Sequence, residues 1–105
     1  MIMGLYDTFN DGENSIQLKN FGCCLGNYKK GEKIPLKENG YPKSGLFFCM
    51  CNPLSGVVVI KNSVFIGIER YCHATFDKHD KFRIWDCYGG EYTRKMSTKQ
   101  KNNLK

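Results

Sequence analysis

The sequence predicts a small, mostly β protein with little helix. Two β-branched runs, at residues 57–60 and 64–68, are separated by three polar residues, which is typical of a β-hairpin. Residues 15–19 alternate apolar and polar side chains, as a half-buried strand does. No segment shows the periodicity of a long amphipathic helix. We therefore expect a small antiparallel sheet of about five or six strands.

Length and charge indicate one domain with a basic end. A chain of 105 residues is the size of a single domain. Its net charge of +6 lies mostly in residues 94–105, which contain basic side chains and no acidic ones. We therefore predict a near-neutral domain at residues 1–93 and a basic, flexible tail at 94–105. A solubilising role for this tail is favoured over contact with nucleic acid or an acidic partner.

The chain before the hairpin contains short strands between loops. Residues 10–14 and 37–45 are rich in Asn, Asp, Gly and Pro, so both are predicted to be turns or loops. Residues 26–37 are typical of a strand, a turn and a strand edge. Residues 46–48 then lead into the hairpin.

The hairpin turn is predicted at Asn62-Ser63, because Asn tolerates the positive φ of a tight turn. Lys61 then faces Val64, and the same register pairs residue 60 with 65, 58 with 67 and 57 with 68. A bulge or slip at a glycine of the hairpin, residue 56 or 67, would shift this register by one residue.

A second hairpin is predicted after the first. Residues 74–76 and 82–86 are its strands, and the charged residues His79-Asp80 form its turn. Gly89-Gly90 ends the second strand.

The cysteines suggest a metal site. The hairpin register gathers Cys49, Cys51, Cys72 and His73 at its open end, which is the arrangement of half a zinc ribbon. The C-x-C spacing is irregular for such a site, and the alternative is that Cys49 and Cys51 are small buried apolar residues. The absence of an export signal or a long apolar segment predicts a reducing compartment without membrane insertion, which favours metal or free thiols over disulfides.

Catalysis is not predicted. Cys72 and His73 are neighbours, so in a strand their side chains would point to opposite faces and could not act as nucleophile and base. Residues 73–86 also contain two His and three Asp that could hold a metal, but a solvated charged loop explains them better. The sequence has no phosphate-binding glycine loop, no H-E-x-x-H and no C-x-x-C.

Residues 3–70 resemble a group of small phage and prophage proteins of zinc-ribbon type. The resemblance lies in the order of short motifs: MGLYDT at 3–8, IQLK at 16–19, Gly22-Cys23, Tyr28, GEKIP at 31–35, Cys49, Cys51 and the hairpin at 58–69. The first cysteine knuckle of that group is missing, because residues 10–15 contain no cysteine. The resemblance therefore implies one structural Zn²⁺ rather than two. The implied ligands are Cys23, Cys49, Cys51 and Cys72, with Cys24, His73 and Cys87 in reserve.

The resemblance also implies a function. Small phage proteins without catalytic motifs commonly occlude a large host protein, so we expect an inhibitor of a host defence system in the host cytoplasm. Its sharpest form is an anti-CRISPR protein that acts on a Cas effector such as Cas9, as a monomer or weak dimer. Four aromatic residues could anchor such an interface, although ordinary sheet packing would also explain them: Tyr41, Trp85, Tyr88 and Tyr92. The alternative function is a nucleic-acid-binding ribbon or small transcription regulator.

Overall fold

The chain folds into two β-sheets with one short helix. The computed structural model describes residues 6–49, 56–87 and 90–92. The elements in chain order are β1 (Asp7–Asn10), β2 (Ser15–Leu18), β3 (Asn27–Lys29), β4 (Gly45–Phe48), β5 (Val57–Lys61), β6 (Val64–Glu69), α1 (His73–Lys78), β7 (Arg83–Asp86) and β8 (Glu91–Tyr92). The prediction of a mostly β protein with little helix is confirmed. Within the described ranges, no helix is long and apolar enough to cross a membrane.

Both sheets mix parallel and antiparallel pairs. The smaller sheet has the strand order β2-β1-β3, and the larger has the order β6-β5-β4-β7-β8. The strand β1 is parallel to β3, and β4 is parallel to β7. The expected single antiparallel sheet is therefore replaced by two mixed sheets. Parallel neighbours are joined by long connections, so no local turn in the sequence signals them.

The larger sheet is covered on both faces. One face packs against the smaller sheet through Phe9 and Leu18 of that sheet and Phe47 and Val58 of its own. The other face carries Leu46, Phe48 and Val59, and Phe76 of α1 packs there. This burial explains why β4 and the start of β5 are continuous apolar runs instead of alternating ones.

The hairpin β5–β6 has the predicted turn. Asn62 and Ser63 have φ of 53° and 66°, the positive values that a two-residue type I′ turn requires. The pairs 61–64 and 60–65 follow the predicted register. A bulge then shifts the pairing, so that residue 58 faces 68 and residue 57 faces 69. The predicted pairs 58–67 and 57–68 are therefore wrong by one residue, because Ile66 is the extra residue of the bulge.

The predicted second hairpin is wrong in its first half. Residues 74–76 belong to α1, whereas β7 forms where a strand was expected. The pairings make β6 and β7 run in the same direction, so the chain has to cross the sheet between them. A helix is the usual crossover, and α1 places Phe76 on the apolar face that it crosses.

Candidate functional site

A buried carboxylate holds the loop at residues 22–26. Asp7, the first residue of β1, is 1% exposed. Its carboxylate accepts the backbone N–H of Cys23 at 3.2 Å, of Cys24 at 3.3 Å and of Gly26 at 2.8 Å. The loop passes the start of β1 on its way from β2 to β3, and the carbonyl of Gly26 accepts the backbone N–H of Thr8 in β1 at 2.8 Å. Asp7 therefore supplies the acceptors that these backbone groups need.

The same loop presents an apolar side chain to solvent on a strained backbone. Cys23 and Leu25 have φ of 54° and 58°, in the left-handed region that non-glycine residues rarely adopt. Leu25 is 61% exposed, and it is the most exposed large apolar side chain in the described part of the chain. We call residues 22–26 the Asp7-bound loop.

The two thiols of the Asp7-bound loop bond to nearby carbonyls. The Cys23 Sγ donates to the carbonyl of Lys19 at 3.2 Å, and the Cys24 Sγ donates to the carbonyl of Gly22 at 3.3 Å. Both thiols are therefore engaged within their own segment.

Two other cysteines meet at the ends of the parallel strands β4 and β7. The register pairs Phe48 with Asp86, so the next residues, Cys49 and Cys87, are neighbours. The Cys87 Sγ donates to the Cys49 Sγ across 3.4 Å. Cys87 is 5% exposed and belongs to the core between the sheets, and half-buried Cys49 packs against that core. We call these two residues the cysteine pair.

The cysteine pair was missed because it depends on the parallel pairing. The available signal was that residues 46–49 and 84–87 are two short segments with large apolar side chains that both end in cysteine. That signal does not say which strands are neighbours or in which direction they run.

A buried amide lies beside the end of β7. Asn20 is 6% exposed, and its Nδ2 donates to the carbonyl of Asp86 at 2.8 Å and to the hydroxyl of Tyr41 at 3.1 Å. Asn20 therefore ties the segment after β2 to the last residue of β7, next to Cys87.

The predicted zinc ligands are only partly described. Cys72 is the N-cap residue of α1, and hydrogen bonds with Thr75 hold the pKa of its thiol below the usual value. Cys51 and the side chain of His73 lie outside the described part of the molecule. Among the residues that are described, no three His, Cys, Asp or Glu side chains come together as a metal group. The predicted set of zinc ligands therefore stays a prediction. Two of the candidate ligands, Cys49 and Cys87, have sulfurs in contact with each other.

The placement of Cys72 corrects one sequence argument. Cys72 and His73 stand at the start of α1 and not in a strand. The expectation that a strand directs their side chains to opposite faces is therefore wrong in its premise.

The predicted partner-binding aromatics pack on the sheet. The ring of Tyr41 lies 4.9 Å from that of Trp85 and 5.2 Å from that of Phe47, in both cases edge to face. The ring of Tyr92 lies 5.3 Å from that of Phe48. These are the contacts of ordinary sheet packing, the alternative given above. Tyr88 lies outside the described residues, and a partner-binding role for the four stays a prediction.

A charged groove of about 390 Å³ lies beside the bulge of β6. Its walls include Asp11, Lys30 and Ile66. Glu69 also lines the groove, and its carboxylate lies 2.8 Å from the Lys78 ammonium and 2.6 Å from the His79 ring. Burial raises the pKa of Glu69, but the hydrogen bonds from these two side chains outweigh burial and hold the pKa below its usual value.

The described part of the chain thus contains a loop with an exposed leucine, a pair of cysteines at the edge of the core and a groove with charges of both signs. Comparison with models of known protein families, with curated proteins and with solved structures gave no match to this chain.

Proposed function

We propose that this protein binds another protein through the Asp7-bound loop and that it does so without catalysis. The observation that carries the proposal is the exposure of Leu25 on a backbone fixed by hydrogen bonds to a buried carboxylate. A loop that is already ordered loses little conformational entropy on binding, so more of its contact energy is available for affinity.

The backbone strain supports the same function. A left-handed conformation costs a non-glycine residue about 1–2 kcal/mol. Glycine would remove that cost at position 25, whereas leucine keeps it and exposes an apolar side chain. Strain of this kind persists where the surrounding structure fixes it, and it clusters at functional sites.

The resemblance of residues 3–70 to small phage proteins narrows the proposed partner. The partner is a host protein, and the sharpest case is a Cas effector such as Cas9 that the bound protein occludes in the host cytoplasm. The chain would act as a monomer or weak dimer, since inhibition by occlusion needs no further subunit.

Nucleic-acid binding is the second function, and the described charges favour it less. Lys78 pairs with Glu69, and Arg83 pairs with Glu91 at 2.6 Å. A nucleic-acid interface places its cations where they can reach phosphates. Affinity for phosphates would fall steeply with salt, whereas binding through Leu25 would depend on salt only weakly.

The experiment compares two matched surface substitutions. The full chain, Leu25→Asp and Ile66→Asp are immobilised separately and exposed to a bacterial host lysate, and captured proteins are quantified by mass spectrometry. Ile66 is the control because it is the other large apolar side chain with substantial exposure in the described chain, at 38%.

We expect the full chain and Ile66→Asp to capture the same host protein in similar amounts. The amount captured by Leu25→Asp should be at least tenfold lower. If that protein is a Cas effector, DNA cleavage by the purified effector should be inhibited by the same two forms. Equal capture by all three forms would show that the Asp7-bound loop is not the interface. Circular dichroism checks that both variants fold.

A further inference from the structure

We propose that Cys49 and Cys87 are a redox-active pair that forms a reversible disulfide between β4 and β7. The two sulfurs lie 3.4 Å apart, with Cys87 donating to Cys49. A disulfide bond is about 2.05 Å long, so the sulfurs have to approach by about 1.4 Å. Rotation of the two side chains can supply a movement of this size.

The strand register is compatible with a disulfide. The two residues follow the register pair Phe48–Asp86 in adjacent parallel strands. Adjacent strands lie about 4.7–4.9 Å apart, which falls within the Cα separation of about 4.4–6.8 Å that disulfides span. Both side chains pack in or against the same core, so they project to the same face of the sheet. The register therefore favours a disulfide between these two residues.

The pairing is selective among the described thiols. The sulfurs of Cys23 and Cys24 bond to the carbonyls of Lys19 and Gly22, and the Cys72 sulfur lies 3.5 Å from the Thr75 hydroxyl. Among the described cysteines, the two whose sulfurs are hydrogen-bonded to each other are Cys49 and Cys87.

The difference in exposure between the two residues assigns their roles. Cys49 is half-buried, whereas Cys87 is 5% exposed. The oxidant is a low-molecular-weight disulfide such as glutathione disulfide. The Cys49 thiol loses its proton, and its sulfur attacks one glutathione sulfur, which breaks the glutathione S–S bond and releases one glutathione thiol.

Cys87 then resolves the mixed disulfide. Its thiol loses a proton and attacks the Cys49 sulfur, which releases the second glutathione as a thiol. The two protein thiols are oxidised by two electrons in total, and one glutathione disulfide is reduced to two thiols. Excess thiol reverses both steps.

The bond would link positions 38 residues apart in the sequence. A crosslink across so long a loop restricts the unfolded chain, so it stabilises the folded state. It also fixes the ends of β4 and β7, where Asn20 binds the carbonyl of Asp86. The oxidised protein should therefore unfold at a higher temperature than the reduced protein.

The test uses the full chain at defined ratios of glutathione disulfide to glutathione. Remaining thiols are alkylated, the protein is digested, and linked peptides are identified by tandem mass spectrometry. We expect a Cys49–Cys87 link that lowers the mass by two hydrogens, that dithiothreitol removes and that raises the unfolding midpoint by at least about 5 °C.

Two substitutions give a matched comparison. Cys49→Ser should abolish the link, and Cys51→Ser, which changes a residue of the same tryptic peptide, should keep it. Any of three results would overturn the proposal. The first is a disulfide from Cys49 or Cys87 to another cysteine, and the second is alkylation of all six thiols at every glutathione ratio. The third is a zinc ion, found by elemental analysis, whose removal is needed before Cys49 and Cys87 can be alkylated. The link in the unsubstituted protein is measured directly, so the outcome does not depend on how a variant folds.

Discussion

The chain has two connections that each lead to a strand parallel to an earlier strand. In each connection, a carboxylate forms hydrogen bonds that help to hold it in place. The Asp7-bound loop leads to β3, and its backbone N–H groups bond to the buried Asp7. The connection through α1 leads to β7, and there Glu69 binds the side chains of Lys78 and His79. Asp7 is 1% exposed, whereas the Glu69 side chain is 29% exposed.

The difference shows how burial decides what each connection can do. A buried carboxylate that serves backbone groups fixes the main chain, so the side chains of the Asp7-bound loop are left to face solvent. A partly exposed carboxylate that serves cations fixes only side chains, and the α1 connection also packs Phe76 into the core. As a result, the first connection presents Leu25 outward, and the second brings Cys87 inward to Cys49.

The largest expected effect is the loss of the Asp7 carboxylate. Asp7→Ala removes the acceptor of the N–H groups of Cys23, Cys24 and Gly26, and a hydrogen bond to a carboxylate contributes about 1.5–3 kcal/mol. We expect the free energy of unfolding to fall by more than about 3 kcal/mol in urea titrations.

Two further substitutions sharpen this result. Asp7→Asn keeps one acceptor oxygen and should lose less than Asp7→Ala. Asp80→Ala changes an exposed residue and should change the free energy of unfolding by less than about 0.5 kcal/mol. An Asp7→Ala variant as stable as Asp80→Ala would show that the carboxylate does not hold the loop.

The next effect contrasts cysteines at the two connections. Cys87→Ser places a hydroxyl in the core between the sheets, which should cost about 1–2 kcal/mol in the reduced protein. Cys24→Ser changes an exposed side chain and should cost less than about 0.5 kcal/mol. Thermal melting under reducing conditions measures both, and equal losses would contradict the different burial of the two thiols.

A smaller effect separates strain from binding in the Asp7-bound loop. Leu25→Gly removes the left-handed strain and should raise the free energy of unfolding by about 0.5–1 kcal/mol. Leu25→Ala removes the side chain but keeps the strain, so its stability should stay within about 0.5 kcal/mol of the parent. Both should lose the partner. If both variants still bind the partner, the exposed side chain of Leu25 is not needed for binding.

The two connections also mark the limit of prediction from this sequence. The β5–β6 turn was predictable because Asn62-Ser63 lies between two β-branched runs, so the signal is local. The bulge at Ile66 left no distinct signal beyond Gly67. The pairings of β1 with β3 and of β4 with β7 join segments far apart in sequence, so neither Asp7 nor the cysteine pair could be predicted as a site. Cys49 was predicted to be a site residue because it is a cysteine, but its contact with Cys87 was not predicted.

The smallest expected effect is the pH dependence of the α1 connection. The pKa of Glu69 in the folded protein lies below its usual value of 4.5, which approximates the unfolded state. The stabilisation from Glu69 is therefore fully present above about pH 4.5 and is lost as the pH falls through the folded pKa. A partly exposed ion pair contributes at most about 1 kcal/mol, so the loss should be small and should shrink further at high salt. Glu69→Gln removes the titrating group, and the stability difference between parent and variant in urea titrations should narrow from pH 6 to about pH 3. A difference that is constant over this range would show that Glu69 does not hold α1 through its charge.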